Sequence, residues 1–383
     1  MTRADFLPLA RPSVGHEEIA AVTEVLNSGY WTTGPKVAEF EREFAAYINE
    51  SGSIYTVALN SCTSGLYLSL LALGIGAGDE VIVPTWTFAA TAHVVEWAGA
   101  VPVLCDIEED TLNIDVQMAE RLITKNTKAI MPVHMAGYPC DMDAIARLSE
   151  KYGIYVIEDA AHAVGTKYKG QKIGNFSTAT VFSFYATKNL AMGEGGLVAS
   201  KDERLIEEIR KLSYFGINKD AFKRYEKRGT WFYDIEGIGY KCNLDSIHAA
   251  VGLVQLRKLD VMNERRRAIA RSYKDGLSAG ISLVPGISDT GEHLHTYHLF
   301  PVLIPASINR DTLITALRDR NIGTSVHFRP LHMHSHYKGR TGSGQFPVAE
   351  GVFPRVLSLP MFPSMTDEDV RYVITNINEL VGS

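Results

Sequence analysis

The sequence contains little of what marks a secreted, metal-stabilised or membrane-spanning protein. Only four of the 383 residues are cysteines, and no two of them form a CxxC pair, so neither a disulfide framework nor a zinc site is expected. No apolar run approaches the roughly 18 residues that cross a bilayer, and we expect no signal peptide because the first residues lack its charged and apolar regions. We therefore predict a cytoplasmic protein without a membrane partner. Its expected reduced thiols are Cys62, Cys105, Cys140 and Cys242.

An excess of charge of one sign is also lacking. The formal net charge is -6, 21% of the residues are charged, and no block of like charges suggests an interaction tail. Nucleic-acid-binding proteins usually carry a basic surface, so we expect no nucleic-acid partner and favour small-molecule ligands. With 46% hydrophobic residues, the chain can bury one large core and a smaller one. We predict a large domain with an N-terminal arm over residues 1–250 and a small C-terminal α+β domain over residues 251–383.

Short apolar runs alternate with helical stretches between residues 55 and 199. This alternation is typical of an α/β protein with a mostly parallel sheet between helices. Ligands of such sheets bind beyond the carboxyl ends of the strands, so polar residues that directly follow strands are the first candidates for a site. The predicted strands are 55–59, 80–83, 101–105, 128–133 and 155–157, and the predicted helices are 64–73, 88–98, 116–123 and 141–152.

The flanking parts of the chain are predicted to be mainly helical. A long helical stretch begins at Asn243 and reaches about Lys258, and after a possible break it continues to Leu277. We place the boundary between the two domains in this region. The other predicted helices are 17–26, 37–48, 202–212, 311–320 and 367–381, and the predicted strands of the small domain are 298–304 and 324–327.

One lysine stands in an unusual local pattern. The apolar run 180–185 leads to Lys188, the glycine-rich loop 193–196 follows, and a second apolar run resumes at Leu197. This pattern places Lys188 at the tip of a strand pair. A partly desolvated lysine loses its proton near neutral pH and can form a Schiff base with a carbonyl, and the glycines allow a planar cofactor to approach the backbone. The alternative is a solvated turn lysine.

Hydroxyl and aromatic side chains follow the first two predicted strands. Thr63 and Ser64 stand at a helix start, where hydroxyls and backbone amides can hold a phosphate, although such residues are also the usual helix N-caps. Trp86 and Phe88 could stack on a planar ring, although core packing is the default for either alone. Trp31 lies in an irregular aromatic turn, residues 30–35, which suits either a site wall or a cover over the edge of the core.

A carboxylate and an imidazole follow the strand 155–157. Asp159 could bridge to a protonated ring nitrogen, and His162 could hydrogen-bond the same ring; the alternative is a helix-start carboxylate with a surface histidine. This pair supplies too few ligands for a metal ion, and the many histidines between residues 293 and 336 match no standard metal spacing, so we predict no metal. A basic cluster around Arg228 is either a solvated face or an anion contact for a phosphate-bearing substrate.

The order of these motifs resembles the DegT/StrS family of pyridoxal-phosphate (PLP)-dependent sugar aminotransferases. The resemblance extends over nearly the whole chain, since segments 31–35, 76–84 and 357–363 share it. It implies a fold-type I PLP-dependent transferase, with a large domain built on a mostly parallel sheet and a smaller α+β domain. The motifs, in order, are Thr63-Ser64, Phe88, Asp159-x-x-His162 and Ser183-x-x-x-x-Lys188 before Gly193-Glu-Gly-Gly196.

The resemblance implies a role for each of these residues. Lys188 forms the internal aldimine and moves the proton between the carbons of cofactor and substrate, and Asp159 keeps the pyridine nitrogen protonated. His162 contacts the phenolic oxygen, and Phe88 stacks on the ring. Asn243 reaches the phosphate of the partner subunit, which implies a homodimer with shared active sites. The remaining phosphate contacts are Thr63, Ser64 and Ser183.

The resemblance also implies the reaction. The dehydratase branch of the family has a histidine in place of Lys188, whereas segments 159–162, 295–300 and 321–332 resemble enzymes that aminate the 4-keto position of nucleotide sugars. We expect transfer of the amino group of L-glutamate to a 4-keto nucleotide sugar, giving a 4-amino sugar nucleotide and 2-oxoglutarate. Such products serve surface polysaccharide, lipopolysaccharide or natural-product glycan synthesis. The expected substrate contacts are His327, Arg228 and Trp31.

Two alternatives stay open at the level of sequence. One is a 3-amino sugar or cyclitol aminotransferase of the same family, which would differ in the position of the new amine. The other is a non-catalytic regulatory or sensory homologue that keeps only the fold. Lys188, Asp159 and the phosphate-binding hydroxyls weigh against this second alternative, because a protein without catalysis has no need to keep them. The pattern does not specify the nucleotide or the stereochemistry of the amine.

Overall fold

The strands predicted from alternating apolar runs assemble into one large sheet and one small sheet. The computed structural model describes residues 3–49, 51–217, 232–284, 292–339 and 345–382. The strands of these residues are β1 (Tyr55–Leu59), β2 (Glu80–Pro84), β3 (Val101–Cys105), β4 (Thr127–Ile130), β5 (Tyr155–Asp159), β6 (Lys167–Tyr168), β7 (Gln171–Lys172), β8 (Ala179–Ser183), β9 (Gly196–Ser200), β10 (Ser282–Leu283), β11 (Phe300–Leu303) and β12 (Val356–Leu359).

Helices connect most of these strands and cover the sheet. They are α1 (His16–Ser28), α2 (Pro35–Ile48), α3 (Cys62–Ala72), α4 (Ala90–Trp97), α5 (Val116–Leu122), α6 (Met142–Tyr152), α7 (Glu203–Leu212), α8 (Ser246–Gly276), α9 (Arg310–Asp319), α10 (Pro347–Val352) and α11 (Asp367–Gly382). Among the described residues, no helix is long and apolar enough to cross a membrane.

The large sheet has seven strands in the order β1-β9-β8-β5-β4-β2-β3. The pairs from β3 across to β8 are parallel, and β9 runs antiparallel to both β8 and β1. The prediction of a mostly parallel sheet is therefore confirmed. The predicted strand 128–133 ends early, at Ile130, because Pro132 has no amide hydrogen for a ladder hydrogen bond.

Two apolar clusters, one containing Leu66 and Val83 and the other containing Phe44 and Ile130, hold the helices against this sheet. Helix α3 approaches closely because Gly65 has no side chain: a Cβ at this position would lie 2.6 Å from Val181 Cγ1. That close approach brings the start of α3 to the carboxyl ends of the central strands.

The C-terminal part has a separate core. A three-stranded antiparallel sheet, β10-β11-β12, packs with α9, α11 and the second half of α8 around Tyr273 and Val302. Helix α8 is one uninterrupted helix of 31 residues, so the possible break after Lys258 is absent. The division at residue 250 stays a prediction, although this residue lies inside α8.

One predicted strand of the small domain does not form. Residues 324–327 pair with β12 only through a single bridge between Ser325 and Ser358, because the carbonyl of His327 turns away and accepts a hydrogen bond from the indole of Trp86, 3.1 Å. The partner strand β12 was not predicted, since its apolar run has only four residues before Pro360.

All four cysteines, which were predicted to be reduced thiols, are free in the structure.

Candidate active site

The carboxyl ends of β5 and β8 and the start of α3 meet at one edge of the large sheet. Strand β5 ends at Asp159, which pairs with Val181 of the parallel strand β8, and β8 ends two residues later at Ser183. The thiol of Cys62, the first residue of α3, lies 4.0 Å from the Asp159 carboxylate. Three segments that are far apart in the chain thus converge where a doubly wound sheet binds its ligands.

Lys188 lies on the loop that joins β8 to β9, so the prediction of a lysine at the tip of a strand pair is confirmed. Its Nζ lies 3.5 Å from Nε2 of His298. Desolvation by burial lowers the pKa of Lys188 to about 8, against the opposing effect of the Asp159 charge. About a tenth of Lys188 is therefore a free amine at pH 7, which is the form that attacks a carbonyl to give a Schiff base.

Asp159 is buried, and its carboxylate accepts two hydrogen bonds. Its Oδ2 accepts the hydroxyl hydrogen of Thr91 at 2.9 Å, and its Oδ1 accepts the backbone amide of Ala161 at 3.1 Å. Burial raises the pKa of Asp159 in spite of these bonds and of the nearby Lys188 charge. A cation placed beside the carboxylate would restore its ionised form, because an opposite charge within a few ångströms favours ionisation.

Aromatic and imidazole rings form one wall beside the lysine. The rings of His162 and His298 have centroids 4.4 Å apart, and Phe328 lies parallel to His162 at 6.1 Å. Desolvation, together with the Lys188 charge, lowers the pKa of both histidines well below the usual value, so both rings are neutral. The Nδ1 atom of His162 is buried and has no hydrogen-bond partner among the described residues.

The start of α3 forms a turn rich in hydroxyl groups. Ser61 is the N-cap, and its Oγ accepts the amide of Ser64 at 3.1 Å and lies 2.9 Å from Ser64 Oγ. Thr63 lies between them on the first helical turn, and Ser183 ends the neighbouring strand β8. A helix N-terminus with added hydroxyls is suited to an anion. The structure shows that Ser61 is the N-cap of α3, so neither Thr63 nor Ser64 serves as the cap, and their contact with a phosphate stays a prediction.

Gly196 of the glycine loop packs against the chain's own backbone, and the expected approach of a planar cofactor to this loop stays a prediction. A Cβ on Gly196 would lie 2.3 Å from the carbonyl carbon of Ser61 and 2.4 Å from the amide nitrogen of Cys62. Gly196 therefore makes room for the backbone of the α3 turn, which belongs to the chain itself. Gly193 and Gly195 have φ angles of 90° and 153°, which other residues rarely adopt, so they shape the turn around Lys188.

The two aromatic residues after β2 have opposite environments. Trp86 is completely buried, whereas Phe88 is 63% exposed and its ring lies 6.1 Å from Phe328. An exposed ring at the mouth of a cleft is available to stack on a flat ligand. The structure thus favours Phe88 over Trp86 as the stacking residue, as the resemblance implies.

The three residues predicted to contact the substrate differ in their surroundings. His327 Nδ1 lies 2.9 Å from Ser358 Oγ, and burial together with the Lys188 charge lowers the pKa of His327 to about 4, so this ring is a neutral neighbour of the lysine. Trp31 is 54% exposed and donates its indole hydrogen to the carbonyl of Leu26. Arg228 and the basic cluster around it lie outside the described residues.

Asn243 lies beside the segment of its own chain that leads from β1 into α3. It forms a β-bridge with Leu59, and its side-chain amide donates to Thr33 Oγ1 at 2.5 Å. Its Oδ1 accepts a short hydrogen bond from Lys241. The predicted contact of Asn243 with the phosphate of a partner subunit stays a prediction.

Sequence reasoning missed several residues that shape this site. Thr91 is the second residue of α4, and His298 is far along the chain in a histidine-rich stretch, so neither directly follows a strand of the large sheet. A spacing signal existed only for Ser61, which precedes the predicted helix as an N-cap should. Asn189 was also missed: its Oδ1 lies 3.2 Å from His298 Nδ1, and its amide donates to Asn263 at 2.8 Å.

The residues present fit PLP. The cofactor has an aldehyde, a phosphate, a protonated ring nitrogen and a phenolic oxygen, and the site has a matching group for each. Lys188 can bind the aldehyde carbon and the α3 turn can hold the phosphate. Asp159 is a buried carboxylate whose raised pKa a ring cation would offset, and the unpartnered buried Nδ1 of His162 can bond the phenolic oxygen.

Comparison with known proteins agrees with this geometry. Residues 12–378 match the model of the DegT/DnrJ/EryC1/StrS aminotransferase family. The spore coat polysaccharide biosynthesis protein SpsC of Bacillus subtilis is 47% identical over 99% of this chain and 98% of its own length.

Solved structures match over almost the full length as well. Spr1654 of Streptococcus pneumoniae, described as a sugar aminotransferase and solved in its PMP form, superposes with a TM-score of 0.91 at 34% identity, over 98% of this chain and 99% of that one. DesI, solved in the presence of its TDP-sugar product, superposes with a TM-score of 0.87 at 29% identity, over 99% and 94% of the two chains.

Proposed function

Because the chain belongs to the DegT/DnrJ/EryC1/StrS aminotransferase family, we propose that it moves the amino group of L-glutamate to the 4-keto position of a nucleotide-linked sugar. It is a PLP-dependent sugar aminotransferase of fold type I. The products of the proposed reaction are a 4-amino sugar nucleotide and 2-oxoglutarate. The observation that carries the proposal is the convergence of Lys188, Asp159 and the α3 turn on one crevice, in a fold shared with DesI, which was solved with a TDP-sugar.

PLP, when bound, supplies an electron sink for bond changes at the carbon that carries the amine. Lys188 would hold the cofactor covalently through Nζ and, once the amino group of the substrate has taken its place, would accept and return a proton at that carbon. A pKa of about 8 suits both roles, because a group with a pKa near the working pH can accept and donate a proton. Asp159 would keep the ring nitrogen protonated through its negative charge, and Thr91 holds the carboxylate in position by a hydrogen bond.

The 4-keto position is supported by the sequence of the segment that contains His327. This segment resembles those of enzymes that aminate the 4-keto position, and in the structure His327 is a neutral ring near Lys188 with its Nδ1 bonded to Ser358. We expect the other ring nitrogen of His327 to contact a sugar hydroxyl. The relation to SpsC, named for spore coat polysaccharide biosynthesis, supports a product destined for a surface polysaccharide. The cytoplasmic location stays a prediction.

The test is a substrate panel with product identification. The purified holoenzyme is incubated with L-glutamate and with UDP-, TDP- and GDP-linked 4-keto sugars, and each product is identified by mass and NMR. We expect an amine at carbon 4 and stoichiometric 2-oxoglutarate. An amine at carbon 3, or amination of a cyclitol, would refute the 4-keto assignment. An unchanged rate when alanine or aspartate replaces glutamate would refute the assignment of L-glutamate as the amino donor.

A variant of Lys188 tests whether this lysine is needed for cofactor attachment and for amino transfer. Lys188→Ala removes the covalent attachment, and we expect loss of the visible absorption of the cofactor-bound enzyme and a fall in rate of roughly a thousandfold or more. Lys201→Ala is the matched control, since Lys201 is exposed just beyond β9. A protein that transfers amines normally with Lys188→Ala does not use the proposed chemistry.

We also propose a homodimer in which Asn243 reaches the active site of the other subunit. Large apolar side chains are exposed next to the Asn243 region, among them Phe215, Ile235 and Ile238 at 47%, 59% and 86%. Exposed apolar groups of this size commonly mark protein interfaces. Asn243 itself lies on the bridge to Leu59, at the edge of the phosphate-binding turn.

Hybrid dimers test the shared site. Lys188→Ala and Asn243→Asp are co-expressed, each of which should be nearly inactive alone. If subunits share sites, a hybrid dimer contains one site with both native residues, and random pairing restores roughly a quarter of the wild-type activity. If each subunit builds its site alone, every site keeps one defect and activity is not restored.

A further inference from the structure

Two histidines and a glutamate lie together on the surface, outside the cofactor site. His93 and Glu96 are three residues apart on α4, which places them on one face of the helix. His336 comes from the segment 331–339 of the C-terminal part. The candidate ligand atoms of the three residues all lie within 4.8 Å of one another, and His336 Nε2 is 2.8 Å from Glu96 Oε2.

The donor set is that of a transition-metal site. Two imidazoles and one carboxylate bind zinc in many proteins and leave a fourth position for water. A tetrahedral ion with ligand bonds of about 2.0–2.1 Å spaces its ligand atoms about 3.3 Å apart. Ligand atoms at the limit of 4.8 Å would have to approach by less than the length of a carbon–carbon bond, whereas His336 Nε2 and Glu96 Oε2, 2.8 Å apart, would have to separate slightly. Rotation of the side chains is sufficient, because the His336 side chain is 46% exposed.

Neighbouring rings orient the two imidazoles. His93 stacks on Tyr337, with ring centroids 5.8 Å apart and planes at 24°, and it meets the edge of His336 at 5.7 Å. On the other side the indole of Trp97 lies 6.3 Å away. Rings that pack around a ligand reduce the entropy that is lost when a metal binds, and such surrounding contacts tune metal affinity.

We propose that His93, Glu96 and His336 bind one divalent transition-metal ion of the zinc class, which fastens the segment 331–339 to α4. This segment follows directly on His327 and Phe328, which line the cofactor site, and it is already anchored by the hydrogen bond from the amide of Leu331 to the carbonyl of Thr85, 2.7 Å. A metal at His336 would add a second anchor five residues further on. The ion is structural in this position, since it is not part of the reacting groups.

The site was not predicted because its ligands are distributed over two distant segments. The sequence expectation of no metal considered the histidine-rich stretch by itself, in which only His336 belongs to the cluster. His93 and Glu96 lie in a helix that the pattern assigned to the cover of the sheet. Their distance of about 240 residues from His336 is outside the reach of any spacing rule.

The test uses the metal alone with the PLP-loaded enzyme. Dialysed holoenzyme is titrated with Zn²⁺ by calorimetry, and the bound metal is counted by elemental analysis. We expect one Zn²⁺ per chain with a dissociation constant in the micromolar range or below, and an increase in melting temperature with added Zn²⁺. His336→Ala and Glu96→Gln should each weaken the binding at least about tenfold, and the double variant should abolish it.

The control is His16→Ala, which removes an exposed histidine far from the cluster. His336 and Glu96 are at the surface, so their variants should fold, and the absorption of bound cofactor verifies this independently. Equal Zn²⁺ affinity in wild type and double variant, or no stoichiometric binding by wild type, overturns the proposal. In those cases His336 and Glu96 form a simple ion pair.

Discussion

The Nζ atom of Lys188 lies 3.5 Å from Nε2 of His298, so a residue of the C-terminal part helps to set the environment of the lysine proposed to bind the cofactor. The orientation of His298 is in turn controlled by the residue that follows the lysine, because His298 Nδ1 lies 3.2 Å from Asn189 Oδ1. Asn189 is itself fixed by hydrogen bonds to Asn263 on α8 and to the carbonyl of Thr296. The lysine and its neighbouring imidazole therefore belong to one buried polar network.

The first prediction concerns the pH dependence of cofactor capture by the apoprotein. Only the free amine of Lys188 attacks an aldehyde, and desolvation lowers the pKa of this lysine from 10.5 to about 8. At pH 7 about a tenth of the protein should be reactive, and at pH 9 about nine-tenths. The rate of capture should therefore rise with pH through a midpoint near 8, as followed by absorbance after mixing apoprotein with PLP. A midpoint above about 10 would show a solvated lysine.

The second prediction tests His298 as a positioning residue. His298→Ala opens space for water beside Lys188, which reduces the desolvation that lowers the pKa of the lysine. We expect the midpoint of cofactor capture to move up by about one pH unit, with a fall in kcat and little change in KM for glutamate. His298→Gln keeps a polar neighbour and should retain more of the activity.

His334→Ala is the control for this series, because His334 is an exposed histidine of the same region. It should leave the capture profile unchanged. If His298→Ala lowers the thermal stability but leaves the midpoint near 8, His298 has a packing role only.

The strand-end residues of the site could be predicted, because strand ends are visible in a sequence. Asp159 and Lys188 each follow an apolar run that alternates with helices, and parallel strands bring such positions to one edge. Thr91 and His298 could not be predicted in the same way. They reach the site through the packing of α4 and of the C-terminal part onto the sheet, and no local pattern encodes that packing.

The glycine loop is a second case in which packing between distant segments could not be predicted from a local pattern. Its composition predicted a close approach of a cofactor, which stays a prediction. The sequence did not predict the close contact of Gly196 with the backbone of Ser61 and Cys62, which depends on the antiparallel insertion of β9 between β8 and β1. The unbroken helix α8 is a comparable case: the pattern suggested a break near Lys258, and packing against α1 and α2 on one half and the C-terminal part on the other keeps it continuous.

The third prediction concerns the hydroxyl that supports Asp159. Thr91→Val keeps the shape of the side chain but removes the hydrogen bond to Oδ2. This bond lowers the pKa of Asp159, whereas burial raises it, so the variant should raise the pKa further and move the acid limb of the rate profile to higher pH. A hydrogen bond to a charged group contributes about 1.5–3 kcal/mol, so the rate should fall roughly ten- to a hundredfold.

Two further variants serve as references for Thr91→Val, one more severe and one neutral. Asp159→Asn removes the charge completely and should be slower than Thr91→Val, while it still binds the cofactor through Lys188. Thr23→Val removes an exposed hydroxyl on α1 and should have no effect. A Thr91→Val enzyme with a wild-type rate and pH profile would mean that the backbone amide of Ala161 alone is sufficient to hold the carboxylate.

The fourth prediction concerns Gly196, where a side chain would collide with the α3 turn. In Gly196→Ala the new Cβ would lie 2.3 Å from the carbonyl carbon of Ser61, and rigid backbone cannot yield as a flexible side chain can. We expect a loss of about 3 kcal/mol or more in the free energy of unfolding and weaker binding of the cofactor phosphate. Gly351→Ala is the matched control, since Gly351 lies in α10 with open space around its Cα and alanine should stabilise a helix slightly.

Denaturant unfolding of both variants measures the change in the free energy of unfolding, and titration of the apoprotein with PLP measures the affinity for the cofactor. If Gly196→Ala unfolds like wild type but binds PLP weakly, the glycine serves the phosphate turn alone; if both properties are unchanged, the close approach of β9 to α3 is wrong.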